Sequence, residues 1–155
     1  MKNVMIFLML LLTTRTSCLQ AEGPPLSSSS PQMGRIRVRV LDLRNQEGNL
    51  GIALFNAKKG FPGRSESAFM KGITPASGKE HLFVFENVPL GAYAVSVQHD
   101  ENHNGKLDTN FFGMPKEGVG TSNNPGLHMG PPSFDAARFL LDRSEMEVVI
   151  NIRYL

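Results

Sequence analysis

Apolar and polar residues alternate with a period of two along most of the chain after position 34. Ile36, Val38 and Val40 alternate with arginines at positions 35, 37 and 39. This alternation predicts a β-strand with one face in a core and one face in solvent, and we expect the arginine face to be solvated and to resist edge pairing. Further strands are predicted over 50–55, 80–86, 92–99, 138–142 and 145–154.

The connections between these segments carry turn signals. The sequence Gln-Glu-Gly-Asn at 46–49 predicts a turn that joins the first two strands as a hairpin, and Val-Pro-Leu-Gly at 88–91 predicts a tight reversal. Residues 56–78 are irregular, with a short strand or helical turn over 65–71. Because no amphipathic helix of useful length is present, the prediction is an all-β fold: one antiparallel β-sandwich of about seven strands with one long Gly/Pro/Asn-rich loop.

The front of the chain has the composition of an export signal. Lys2 precedes an apolar run over 4–12, and small polar residues follow up to Ala21. The run is far shorter than the ~20 residues that span a bilayer. We therefore predict a cleaved signal peptide at 1–21, a Pro/Ser-rich linker at 22–34, a sandwich domain at 35–155, and a secreted or periplasmic protein. A buried N-terminal helix is the alternative, and Arg15 in the motif before Cys18 argues against lipidation there.

Composition excludes several classes of protein. Cys18 is the single cysteine, so neither an intramolecular disulfide nor a cysteine zinc cluster can form. Without Lys2 and Arg15 the chain carries 14 basic and 14 acidic residues. A net charge near zero gives no reason to expect nucleic acid as a partner.

The long segment from Asp100 to Asp135 interrupts the strand pattern. A structureless stretch of this length inside a small domain indicates either that a strand in it has not been recognised or that the loop is functional and held in place. Its acidic residues outnumber its lysines by five to two, so anionic oxygen is locally concentrated. We expect its apolar residues, including Phe111, Phe112 and Met114, to anchor it to the domain.

The first nine residues of this segment have the ligand spacing of an EF-hand calcium loop. Oxygen-bearing side chains fall at positions 1, 3, 5 and 9, glycine falls at position 6, and position 7 would offer its carbonyl. Phe111 stands where a bidentate glutamate would be, and flanking helices are missing, so this is no EF-hand. The predicted Ca²⁺ ligands are Asp100, Asn102, Asn104, Lys106 (carbonyl) and Asp108, with Glu117 as a possible completing ligand.

Other interpretations of this segment stay open. An Asx-rich turn, in which Asn and Asp side chains cap their own backbone, would show the same spacing. His99, His103 and His128 could bind a transition metal, although two histidines four residues apart adjoin on a helix and this segment leaves a strand. A hydrolase would use Asp108 or Glu117 with His99 or His128, but no G-x-S-x-G elbow is present.

Three motifs in this segment resemble a bacterial exported family known as domain of unknown function 2141. They are DENHNGKLD at 100–108, FGMPKEGVGTSNN at 112–124 and GPPSFDAA at 130–137, and residues 85–95 fit the family too. The resemblance covers roughly 36–154 and implies an exported bacterial protein without naming a role. The turn at 85–93 is also similar to that of prealbumin-like sandwiches, such as the regulatory domains of carboxypeptidases and collagen-adhesin repeats. That similarity implies an accessory or binding module.

Together these patterns favour a binding or structural module over an enzyme. The expected partner is a protein or a carbohydrate that contacts the 100–135 segment. No nucleic-acid partner and no transmembrane segment in the mature chain are expected.

Overall fold

The structure, a computed structural model, describes residues 32–78, 80–126 and 130–155 and contains eight β-strands within them. The strands are β1 (Met33–Leu41), β2 (Asn49–Phe55), β3 (Met70–Pro75), β4 (His81–Pro89), β5 (Gly91–Asp100), β6 (Gly118–Thr121), β7 (Phe139–Leu141) and β8 (Glu145–Asn151). A 3-10 turn at Ser65–Ser67 and helix α1 (Phe134–Ala137) complete the described elements. Within those ranges no helix has the length and apolarity needed to cross a membrane.

The strands form two packed sheets, and the predicted all-β sandwich is confirmed. One sheet has the order β4-β1-β8, and the other has the order β3-β2-β5-β6, with β7 also paired to β5. The inward residues of both sheets share one core, since alternate side chains of each strand point to the same face. Its members include Ile36, Val38, Val40, Leu50, Ile52, Leu54, Val95, Val97, Val148 and Ile150.

The pairing of β1 departs from the predicted arrangement. The turn at 46–49 does not close a hairpin, because β1 pairs with β4 and β8 whereas β2 pairs with β3 and β5. The turn instead carries the chain from one sheet to the other. Moreover β1 and β8 run parallel, so the sandwich is antiparallel except at this pair.

The arginine face of β1 is a charged ladder rather than an edge. Strand β1 is the central strand of its sheet, and its parallel register places Arg35 beside Glu145 and Arg37 beside Glu147. Arg35 and Arg37 each form an ion pair of 3.2 Å with Glu145, and Arg39 pairs with Glu147. These pairs are solvent-exposed and therefore add little stability each, but they offset two of the three arginine charges.

The turn between β4 and β5 also changes sheets. Tyr93 re-enters the core after this turn, since it is buried and its hydroxyl donates to the Pro89 carbonyl at 2.8 Å. Asn87 adopts a φ of 55°, which few residues other than glycine and asparagine accept readily. Strand β5 pairs with β7 over its first three residues and with β2 from Ala94 onward, and it ends at the candidate site.

The segment predicted as one loop is partly regular. It contains β6, which pairs with β5, and α1, whose N-terminal amide at Ala136 is capped by the Ser133 side chain. Strand β1 begins at Met33, two residues inside the predicted linker. The predicted signal peptide, Cys18, the linker up to residue 31 and His128 lie outside the described residues.

Candidate functional site

The candidate loop begins where β5 ends. Asp100 is the last residue of β5 and is buried, so its carboxylate must find partners inside the protein. Its Oδ1 accepts the Asn104 backbone N–H at 3.1 Å, and its Oδ2 accepts the Gly105 N–H at 2.7 Å. The loop curls tightly at this point, with Gly105 at a φ of 71°. Asp100 therefore acts as a cap on the first turn of the loop.

The two predicted asparagine ligands meet Asp108. The amide nitrogens of Asn102 and Asn104 donate to Asp108 Oδ2 at 2.7 and 3.1 Å. Their amide oxygens accept backbone N–H groups, Asn102 from Asn104 and Asn104 from Lys106. The residues predicted at positions 1, 3, 5 and 9 of the loop are therefore linked to one another by hydrogen bonds.

Glu117 crosses the loop from the start of β6 and braces it. The residue is 4% exposed. Oε1 accepts the Glu101 N–H at 3.2 Å and Oε2 accepts the Asp108 N–H at 3.0 Å, so one side chain holds both ends of the loop. The sequence predicted Glu117 only as a possible ion ligand. Its role as a hydrogen-bond acceptor for the loop backbone was not predicted.

The arrangement has the hydrogen bonding of an Asx-rich turn. Asp100 and Glu117 are both satisfied by backbone donors, and amide groups occupy the space beside Asp108. Over the ranges that the structure describes, no group of three or more His, Cys, Asp or Glu residues is arranged to hold a metal ion. Lys106 contributes its N–H to Asn104, and its side chain is exposed.

The histidines near the loop are engaged in structural bonds. His99 is fully buried; its Nε2 lies 2.7 Å from the Glu47 carbonyl and its Nδ1 lies 2.7 Å from the Tyr154 hydroxyl. Because a carbonyl only accepts, Nε2 carries a proton and donates it to the Glu47 carbonyl. His103 Nδ1 accepts from the Asn49 amide at 2.9 Å. His99 therefore has both ring nitrogens engaged, whereas His103 is exposed and uses its Nδ1.

A charged cluster beside the loop was not predicted. The Arg44 guanidinium forms a two-point pair with the Glu101 carboxylate, at 2.8 and 2.5 Å, and it lies 4.4 Å from the centre of the Tyr154 ring. Hydrogen bonding to Arg44 lowers the pKa of Glu101 below its ordinary value, and burial raises the pKa of Tyr154. Arg44 and Tyr154 are 110 positions apart, so only the folded chain brings them together.

The turn before β2 packs directly on the base of the loop. Gly48 has a φ of 75°, and a Cβ at this position would lie 1.9 Å from the Asp100 carbonyl oxygen. Only glycine allows this approach. The turn thus fixes where β5 ends and where the candidate loop starts.

The far end of the segment does not anchor the loop, contrary to expectation. Phe111 and Phe112 are 97% and 85% exposed, and Met114 is 45% exposed. They lie at the end of a narrow hairpin in which Thr109 bridges Pro115. The base of the loop is held by the buried carboxylates of Asp100 and Glu117, while among the apolar residues of the segment Phe134 packs into a core cluster.

Comparison with known proteins gives a family and no activity. Searches of the curated proteins and of the solved structures found no match to this chain. A family model matches residues 38–149, which include every strand of both sheets at least in part and the whole candidate loop. The chain therefore belongs to the family described as "Uncharacterized protein conserved in bacteria (DUF2141)".

Proposed function

We propose that this chain is a non-enzymatic binding or structural module of an exported protein, with a calcium-type ion ordering the loop at 100–108. The observation that carries the ion proposal is that the Asn102 and Asn104 side chains converge on Asp108. The brace made by Glu117 supports the proposal of a rigid module. Because the buried carboxylates of the loop accept hydrogen bonds from its own backbone, they fix the loop in one conformation. The predicted partner class, a protein or a carbohydrate, stays a prediction.

The hydrogen bonds of the loop suggest how a cation would enter. The amide nitrogens of Asn102 and Asn104 point at Asp108, where a cation would place its charge. If both side-chain amides rotate by 180°, their oxygens replace their nitrogens beside Asp108. Oxygen is the ligand type that Ca²⁺ prefers. Asp100 and Asp108 then supply charge, since a carboxylate has about four acceptor sites and the described bonds use only part of them.

The same bonds indicate weak affinity. Turning the amides over releases two backbone N–H groups, of Asn104 and Lys106, from their present acceptors. The Asn104 N–H keeps Asp100 as a partner, whereas the Lys106 N–H is released to water. A cation must offset this loss, so we expect a dissociation constant of about 10⁻⁴–10⁻³ M, as in extracellular modules.

A thermal melt tests the ion proposal. Residues 22–155 are unfolded with EDTA and with about 10 mM CaCl₂, a concentration that is roughly 10 to 100 times that dissociation constant. Ligand at this excess adds about 1.4–2.7 kcal/mol, which should raise the midpoint by about 5 °C or more.

The matched variants are Asp108→Asn and Asp142→Asn, because Asp142 is an exposed aspartate that pairs with its neighbour Arg143. The calcium shift should disappear in Asp108→Asn and persist in Asp142→Asn. An unchanged midpoint in wild-type protein, or an equal shift in both variants, would show that the loop is a self-capped Asx turn without an ion.

A further inference from the structure

The hairpin beyond Asp108 ends in an apolar tip, residues 110–114, which we call the aromatic tip. Phe111, Phe112 and Met114 are all exposed, and the two phenylalanines are almost completely so. Single exposed apolar residues are common, but three within four positions form a contiguous patch at one point. The fold gains nothing from leaving these side chains in water, so the patch needs another explanation.

The aromatic tip is held rigidly outward. The Asn110 side-chain oxygen accepts the N–H groups of Phe112 and Met114 at 2.9 and 3.0 Å, and the Asn110 N–H donates to the Met114 carbonyl at 2.8 Å. Gly113 takes a φ of 77°, which closes the turn. The two phenylalanine rings pack edge to face with centroids 5.6 Å apart. A tip fixed in this way loses little conformational entropy when it binds.

The charges that face outward around the aromatic tip are positive. Lys106 and Lys116 are exposed on either side of the hairpin base, and among the described residues neither forms a salt bridge. Two of the neighbouring acids are withdrawn: Glu117 is buried and bound to backbone donors, and Glu101 is paired with Arg44. Asp108 is half-buried and directs its Oδ2 at the two asparagine amides.

We propose that the aromatic tip inserts into the surface of an anionic lipid bilayer. Phe111, Phe112 and Met114 would lie at the boundary of headgroups and acyl chains, and Lys106 and Lys116 would contact the lipid phosphates. Exposed apolar side chains with basic residues beside them are the combination that binds such an interface. The tip is convex and its rings are open on nearly all sides. Fluid lipid can surround such a shape, whereas a protein partner would need a pocket that closes around it.

The absence of tryptophan from the chain gives a direct assay. Phe112→Trp introduces a single fluorophore at the tip. Ile73→Trp is the matched control, because Ile73 is also a highly exposed apolar residue but lies on β3, away from the tip. Both variants are made in residues 22–155, which contain every strand and core residue of the described structure and lack the apolar run at 4–12.

The proteins are titrated with phosphatidylcholine vesicles and with vesicles of equal parts phosphatidylcholine and phosphatidylglycerol, in EDTA and at low salt. We expect a blue shift of Phe112→Trp emission, and quenching by brominated acyl chains, on the anionic vesicles only. Adding Phe111→Ser should weaken this binding about tenfold or more. Adding Lys116→Gln should weaken it about fivefold, and salt should do the same.

Several outcomes would overturn the proposal. If the Phe112→Trp emission does not shift on any vesicle, the tip does not bind lipid, and a pocket on a partner protein becomes the explanation for its exposure. An equal shift in Ile73→Trp would mean unspecific adsorption, and equal binding to neutral vesicles would remove the role of the lysines. A lipid-independent shift that grows with protein concentration would indicate a second copy of the chain. Circular dichroism checks that the variants fold, and Phe111→Trp replaces Phe112→Trp if that variant does not. Because EDTA is present throughout, failure of the ion proposal does not affect this test.

Discussion

Replacing Glu117 by alanine is the sharpest test of how the candidate loop is held. The Glu117 carboxylate accepts two backbone N–H groups, from Glu101 and Asp108, that lie at opposite ends of the loop. Truncation to alanine removes both acceptors at once. It also leaves a void at a position where the native residue is 4% exposed.

The expected loss of stability follows from these two bonds. A hydrogen bond to a charged group contributes about 1.5–3 kcal/mol, and a buried donor left without a partner costs about 1–3 kcal/mol. Both donors are only partly buried, so water can reach them after truncation, and the carboxylate no longer has to be desolvated. We therefore expect Glu117→Ala to lower the free energy of unfolding by about 2–4 kcal/mol. In a domain of this size that lowers the melting midpoint by about 6–14 °C.

Urea unfolding in EDTA measures this loss without any contribution from calcium. Glu86→Ala is the control, because Glu86 is exposed on β4 and its truncation should stay within about 0.5 kcal/mol. Glu117→Gln should fall between the two, since its one amide oxygen can accept only one of the two bonds at full strength. Hydrogen exchange should show faster exchange at the Glu101 and Asp108 amides in Glu117→Ala. A loss no larger than that of Glu86→Ala would refute the brace.

Two further predictions concern the sandwich and its charged cluster. Gly72→Ala should cost about 1–3 kcal/mol of unfolding free energy, because its Cβ would lie 2.1 Å from the Phe83 ring, whereas Gly63→Ala meets nothing within 4 Å and should change little. Because hydrogen bonding to Arg44 lowers the pKa of Glu101 from its ordinary 4.5, the resulting stability is present above that pH and is lost as the pH falls further. The difference in unfolding free energy between wild type and Arg44→Gln should therefore shrink from pH 7 to pH 3, and a constant difference would contradict this assignment.

The strands could be predicted from sequence because alternation is a local property. Ile36, Val38 and Val40 must share one face whatever β1 pairs with, and all three are buried. The partner of a strand is not a local property. The turn at 46–49 is consistent with a hairpin as well as with a crossover, and the parallel pairing of β1 with β8 joins residues about 110 positions apart. Nothing in the spacing of either segment specifies that contact.

The candidate loop was predictable to the same extent. The spacing of Asp100, Asn102, Asn104 and Asp108 identified the residues that meet, because their mutual contacts lie within nine positions. Their hydrogen bonds were not predictable, since an asparagine amide offers an oxygen and a nitrogen and the sequence does not say which one faces Asp108. The exposure of Phe111 and Phe112 was missed for a related reason. Apolar type alone predicts burial, and only the hairpin geometry shows that these rings point away from the core.

The base and the far end of the loop differ in what their side chains contact. Asp100 and Glu117 hold its base from inside the protein, with bonds to the backbone that need no partner molecule. Phe111 and Phe112 occupy its far end and make no contribution to the core. A loop kept only for stability would bury its aromatic residues and expose its acids, whereas this one exposes Phe111 and Phe112 and buries Asp100 and Glu117. For that reason we propose that the function of the module lies at this loop rather than on the ion-paired outer face of β1.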